Sequence, residues 1–209
     1  MNFNPAKHHR HSIRLKGYDY SQAGMYFITI CVKERLCLFG NVVNAEMVLN
    51  NAGKFADECW KNIPDHFPNA VLHEYIIMPN HIHGIIELSN IIAIVGVQNF
   101  EPLQQQNFEP QQQNFEPQRS ANEFQKIIPK SIGSIVRGFK IGVTKWFREN
   151  SHGIQNPDLF KNAGCDLSRP IWQRNYYEHV IRNENSYQNI VKYIVNNPLK
   201  WNEDKFYIR

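Results

Sequence analysis

The chain has 209 residues, of which 42% are hydrophobic, 20% charged and 12% aromatic, enough apolar material for one domain with a buried core. No run approaches the roughly 18 to 20 uninterrupted apolar residues of a membrane span, and the basic opening MNFNPAKHHRHSIRLKG lacks the apolar stretch of a secretory signal. An integral membrane protein and a disordered chain are excluded, no export is expected, and a formal net charge of +4 with nine histidines leans toward a polyanionic partner.

Gly24 to Val32 (GMYFITICV) is rich in β-branched and aromatic residues and predicts a strand. Leu36 to Val43 predicts its hairpin partner, with Gly40 at a bend. From Val48 to Ile63 the residues Val48, Leu49, Ala52, Phe55, Ala56, Cys59 and Trp60 give one apolar helical face. Ala70 to Met78 and His81 to Leu88 predict two strands, and the Pro79-Asn80 link between them is short enough for antiparallel neighbours.

Gln98 to Gln118 then carries three near-copies of a Gln/Asn-rich unit ending in Phe-Glu-Pro. The prolines and the lack of an apolar face disfavour helix and strand, and the units are too short to stack as a solenoid. Residues 90–125 are therefore expected to form a flexible insertion within one domain. Ser131 to Phe147 has helical spacing, with Arg137, Lys140 and Lys145 on its polar side; Ile171 to Ile181 predicts a short strand. Ser186 to Asn196 predicts a last helix, stopped by Pro198. This order suits an α+β sandwich with an antiparallel sheet and helices on one face.

Cys31, Cys37, Cys59 and Cys165 form no C-x-x-C pair, so the expectation is reduced, packed thiols in a cytosolic protein. The focal feature is His81-Ile82-His83. On a strand, residues two apart share a face, so both imidazoles project together and suit a divalent metal. An H-x-H in a chain with nine histidines also arises by chance or as packed core. Tyr193 and Asn197, spaced i and i+4, share a face at the end of the last helix. The Asn197 carbonyl oxygen suits a third ligand, and the Tyr193 phenol suits a nucleophile whose pKa near 10 calls for metal polarisation of a phosphate. On periodicity alone Tyr193 reads equally as a packed aromatic.

The phrase MPNHIH (Met78 to His83), with IWQRNYYEHVIRNENSY (Ile171 to Tyr187) and YIVNNPLKW (Tyr193 to Trp201), resembles the single-tyrosine HUH transposases. More narrowly it resembles the REP-associated tyrosine transposases of the IS200-like group. The resemblance takes in YFITICV and SIGSIVRGFKIGVTKWFR, and covers most of residues 10–201 apart from the insertion. It implies a ferredoxin-like (RRM-like) sandwich, with His81 and His83 as metal ligands, Asn197 as a further ligand and Tyr193 as the nucleophile. It implies Mg²⁺ or Mn²⁺, and a partner in single-stranded DNA with hairpin structure. That DNA is cut to a 5′-phosphotyrosine and a free 3′-OH during transposition, in the cytoplasm with the nucleoid, by a monomer or homodimer.

Beside that nucleophile, the Tyr176-Tyr177-Glu178-His179 stretch reads as structural support or DNA contact. The expected organisation is a basic arm at 1–23, a catalytic domain at 24–201 carrying the insertion, and a tail at 202–209. Arg10, Arg14 and Lys16 in the arm, with Arg137, Lys140, Lys145, Trp172 and Arg174, are the candidate DNA-binding residues. Two other readings compete: a domesticated hairpin-binding protein that does not cut, and an RNA-binding module. The second lacks the aromatic signature expected on its central strands.

Overall fold

In the computed structural model residues 19–89, 128–150 and 170–207 are described. The basic arm with Arg10, Arg14 and Lys16, and the repeat insertion, lie outside the described residues. In chain order the elements are β1 (Gly24–Cys31), β2 (Gly40–Val43), β3 (Glu46–Leu49), α1 (Asn51–Lys61), a short α2 (Ile63–His66), β4 (Ala70–Ile77), β5 (His81–Leu88), α3 (Ile132–Asn150), β6 (Tyr177–Ile181) and α4 (Glu184–Val195). Among the described residues no helix is long and apolar enough to cross a membrane.

Alternation along the strands decides what faces what. Tyr26, Ile28 and Ile30 of β1 point to one side of the sheet with Ile82 and Ile86 of β5, and there they meet α1 and α3. The same core takes in Trp60 of α1 and Ile135, Phe139, Val143 and Phe147 of α3. Each such fully buried large apolar side chain contributes about 1.5–3 kcal/mol relative to exposure. On the other side Phe27 and Ile85 pack with Ile181 and Ile194, the last carried by α4. Helices α1 and α3 thus share one face, as expected, while α4 covers the opposite one.

The sheet runs β4-β5-β1-β6 with every neighbouring pair antiparallel. Leaving out the β2–β3 ribbon, the chain reads βαββαβ, the split βαβ arrangement of ferredoxin-like folds. Both central strands, β1 and β5, are therefore paired on each side.

Two local expectations change. Leu36 to Val43 does not extend a hairpin with β1; β2 pairs with β3 in a separate ribbon, with register Val43↔Glu46. The turn residues Asn44 and Ala45 have φ of 51° and 63°, the twist that closes a tight two-residue hairpin. Val48 and Leu49 accordingly belong to β3, and the helix starts at Asn51. Asn50 is its N-cap: the side chain accepts from Gly53 N at 2.9 Å while its own amide donates to Leu38 O at 3.0 Å. Apolar spacing over so few residues fits both periods, and the cap decides between them. Asn183 caps α4 in the same way, accepting from Ser186 N at 2.8 Å.

Candidate active site

β5 begins at His81, so His81 and His83 emerge on the α4 side while Ile82 and Gly84 face α1. The register sets Thr29 of β1 directly opposite His83 and Cys31 opposite His81. Both imidazoles are buried, at 0% and 1% exposure, with ring centroids 4.5 Å apart.

Hydrogen bonds settle which ring nitrogen is free. Asn80 Nδ2 donates to Arg35 O and Phe206 O, so Asn80 Oδ1 is the acceptor toward His81 Nδ1, at 2.9 Å. His81 Nδ1 therefore carries the proton, and Nε2 presents a lone pair that has no hydrogen-bond partner. Thr29 Oγ1 lies 2.9 Å from His83 Nδ1, and the Tyr193 hydroxyl lies 3.1 Å from His83 Nε2. With a neutral ring and a protonated phenol, Tyr193 donates to Nε2 and His83 Nδ1–H donates to Thr29. Both rings are thus held through Nδ1 and keep Nε2 as the nitrogen that could ligate.

Asn197, 2% exposed, stands one turn beyond Tyr193. Its Nδ2 donates to Asp204 Oδ2 at 3.0 Å, which leaves the buried Oδ1 without a partner. Asp204 comes from the chain that turns back after Trp201–Glu203; ligand atoms of His81, His83 and Asp204 lie within 4.8 Å of one another. Two imidazole nitrogens, an amide oxygen and a carboxylate fit a borderline-to-hard divalent cation such as Mn²⁺ or Mg²⁺. An orphaned buried nitrogen and an orphaned buried oxygen are what such an ion would satisfy.

Electrostatics favour the neutral, ligand-competent rings. Burial pushes His81 down to about 4, against the opposing pull of the Asp204 carboxylate, and burial with the neighbouring His81 holds His83 well below its ordinary value. Burial, reinforced by Asp204, raises the Tyr193 phenol to about 12. Tyr193 as a residue is nonetheless 39% exposed and lines an open cleft. The cleft has a volume of about 570 Å³, and Lys192, Lys200 and Lys205 reach into it.

One copy of the chain thus brings together Tyr193, His81, His83 and Asn197. The other sequence candidates scatter. Arg137, Lys145 and Arg174 are exposed along a second groove on α3, and Lys140 is half-buried there. Lys140 Nζ donates to Gln173 O and Asn175 O, and burial lowers its pKa to about 8. Trp172 is not open to stacking against bases: it is 7% exposed, its Nε1 donates to Lys140 O, and its ring packs with Phe39 and Phe139. A tryptophan beside polar neighbours in sequence carries no sign of which side of the molecule it will face.

Sequence reasoning missed Asp204 and Phe206, whose ring lies 4.5 Å from that of His81. It also missed the three lysines of the cleft. Asp204 follows no ligand spacing, and the acidic pair Glu203-Asp204 followed by Lys205 is the one local signal there.

The fold and site define an α+β protein of ferredoxin-like topology, with paired histidines on a central strand facing a helix-borne tyrosine. The chain is 45% identical over 206 residues to an uncharacterised protein of Haemophilus influenzae, covering 99% of this chain and 97% of that one, and it belongs to the same family. No protein-family model matches the chain. Among solved structures it is similar to a REP-associated tyrosine transposase bound to a REP hairpin, at 17% identity and a TM-score of 0.49, covering 92% of this chain and 76% of that one. It is also similar to a transposase candidate from Deinococcus radiodurans R1, at 15% identity and a TM-score of 0.41, over 88% of this chain and 95% of that one.

Proposed function

We propose that the protein is a metal-dependent single-strand DNA endonuclease and transposase, joining the cut strand to Tyr193 as a 5′-phosphotyrosine. The observation that carries this reading is the group of His81, His83 and Asp204 ligand atoms within 4.8 Å of one another, with the buried His81 Nε2 and Asn197 Oδ1 unpartnered, beside a Tyr193 hydroxyl 3.1 Å from His83 Nε2. A structural histidine pair has no use for a buried lone pair left without a partner.

When bound, Mg²⁺ or Mn²⁺ would polarise the scissile phosphate and favour the ionised phenol. The chain's own groups do the rest. Lys192, Lys200 and Lys205 hold the phosphates of the incoming strand in the cleft. Tyr193 Oη attacks phosphorus in line; the P–O3′ bond breaks, the phenol loses its proton, and the departing 3′ oxygen gains one. Phosphoryl bonding is conserved in the tyrosine ester, so a later 3′-OH can reverse the linkage without an energy source. Such a role in transposition places the protein in the cytoplasm with the nucleoid, acting on strands that carry hairpins.

The test is a covalent-adduct assay with labelled hairpin-bearing single strands drawn from the flanks of the protein's own gene. Adduct is expected with Mn²⁺ or Mg²⁺, and none with a chelator or in Tyr193→Phe. An adduct that survives in Tyr193→Phe would move the nucleophile elsewhere. Tight hairpin binding with no adduct at all would favour a domesticated binder.

A further inference from the structure

Helix α4 meets the sheet through Tyr187, Ile190, Val191 and Ile194, which pack with Phe27 and Ile85. Apolar packing of this kind is non-directional, so it holds the helix against the sheet without fixing its rotation. Direction is supplied by two tyrosine hydroxyls of α4, each of which meets a histidine on a strand. Tyr193 Oη lies 3.1 Å from His83 Nε2 on β5, and Tyr187 Oη lies 3.2 Å from His73 Nδ1 on β4. The second pair is backed by a carboxylate, since His73 Nε2 lies 2.9 Å from Glu87 Oε2 of β5. A carboxylate only accepts, so the neutral ring carries its proton on Nε2 and accepts the Tyr187 hydroxyl at Nδ1. A doubly protonated ring keeps both contacts, with Nδ1–H donating to the hydroxyl oxygen instead.

An irregularity in β4 brings His73 to this place. Leu72 and Tyr75, three residues apart, both pack on the α1–α3 core, which regular alternation along a strand does not allow. The register shifts between them, from Leu72↔Ile86 to Tyr75↔Gly84, and the extra residue leaves His73 facing α4. Bulges re-aim side chains in this way, and they recur beside active sites. His73 and Glu87 stand apart from the ligand group of His81, His83 and Asp204.

Tyr193 gives up its bond to His83 when its oxygen attacks phosphorus, whereas the tie from Tyr187 to His73 is untouched by that step. The two tyrosines are six residues apart, about 9 Å along the helix axis. A rotation of about 10° moves an atom about 6 Å from that axis by about 1 Å, and a misplacement of about 1 Å costs about 100-fold in rate. We infer that His73 and Glu87 are positioning residues for strand cleavage: through Tyr187 they fix the rotation of α4 and hold the released Tyr193 oxygen in line. This deepens the strand-cleavage reading and rests on it for the reaction concerned.

The experiment follows single-turnover formation of the Tyr193 adduct with Mn²⁺ on hairpin-bearing strands from the flanks of the protein's own gene, over a range of DNA concentrations. Tyr187→Phe keeps the ring in its packing and removes only the hydroxyl. Tyr187→Phe and His73→Ala are each expected to slow the rate at saturating DNA by about tenfold or more, with half-saturating DNA and Mn²⁺ affinity within about twofold of wild type. His73→Gln, whose amide can accept from Tyr187 and donate to Glu87, should recover most of the rate. A saturating rate in Tyr187→Phe within about twofold of wild type overturns the inference. So does a loss shared with DNA or Mn²⁺ affinity, or a His73→Gln variant as slow as His73→Ala. Should Tyr187→Phe lose its thermal transition, Glu87→Ala is read against the same criterion. A second readout needs no cutting: with 4-fluorophenylalanine in place of Tyr193, the ring has lost its tie to His83, and its ¹⁹F line reports how α4 is held. That line is expected to be narrow with Tyr187 present and broadened or split in Tyr187→Phe; an unmoved line overturns the inference. A wild-type chain that forms no adduct fails the cleavage reading, and the fluorine line then still decides whether Tyr187 holds position 193.

Discussion

Each ring at the site is fixed from behind, and that is why its front is useful. Asn80 Oδ1 accepts from His81 Nδ1–H, Thr29 Oγ1 accepts from His83 Nδ1–H, and Asp204 accepts from the Asn197 amide, leaving the Asn197 oxygen unpartnered. Such outer contacts typically govern metal affinity by 10- to 100-fold. Removing a candidate ligand itself should cost at least as much: Asn197→Ala is expected to weaken Mn²⁺ binding by about tenfold or more, read by titration calorimetry, with Asn197→Asp restoring most of it. Tyr193→Phe should leave Mn²⁺ affinity equal or higher, because the phenol at present occupies His83 Nε2. A large loss of affinity in Tyr193→Phe would mean that the phenol is itself a ligand. At this scale the sequence was informative about identity: His81, His83, Tyr193 and Asn197 were all read from spacing and motif. It was silent on Asp204, which reaches the site through a turn of chain and not through a periodic position.

Helices and strands carry these residues to one another by register. Shifting β5 by one residue would turn both imidazoles into the α1 core, so the pairing of Thr29 with His83 is as much a part of the site as the imidazoles themselves. Gly84 helps to hold that register. A Cβ there would run into the six-membered ring of the fully buried Trp60, so α1 closes on β5 only over a glycine. Gly84→Ala is expected to destabilise by about 1–3 kcal/mol, seen as a lower urea midpoint with an unchanged slope. A neutral result would show that Trp60 can swing aside and that the close approach is incidental. The strands β1, β4 and β5, short runs rich in β-branched and aromatic residues, were legible from sequence. The β2–β3 ribbon was not, because Val48 and Leu49 fit a helical face as well as a strand, and the Asn50 cap becomes visible only with Leu38 and Gly53 in place.

Across the whole molecule the buried histidines tie stability to pH. In the unfolded chain a histidine titrates near 6.5; in the fold His81 falls to about 4 through burial, and His83 moves the same way. Between those values the unfolded chain binds more protons than the native one, so stability is full above about 6.5 and is lost as pH falls toward 4. His81 and His83, 4.5 Å apart between ring centroids, contribute to this loss as a pair. Urea melts of the metal-free protein should show this slope, and His81→Gln should flatten it. Equal slopes in both proteins would assign the acid sensitivity to groups other than His81.

Local pattern alone determined which residues share a face: the two histidines on one strand, the tyrosine and asparagine on one helix, the cations along another. It also carried the α+β order of elements, since apolar periods of two and 3.6 are written within each segment. Only the tertiary structure decided which faces meet. Helix α4 crosses to the side of the sheet opposite α1 and α3, the chain from Asp204 to Tyr207 folds back as a wall of the site, and Trp172 sinks into the core. Those outcomes depend on packing between residues far apart in sequence, and no local period encodes which distant surface will bury a given face.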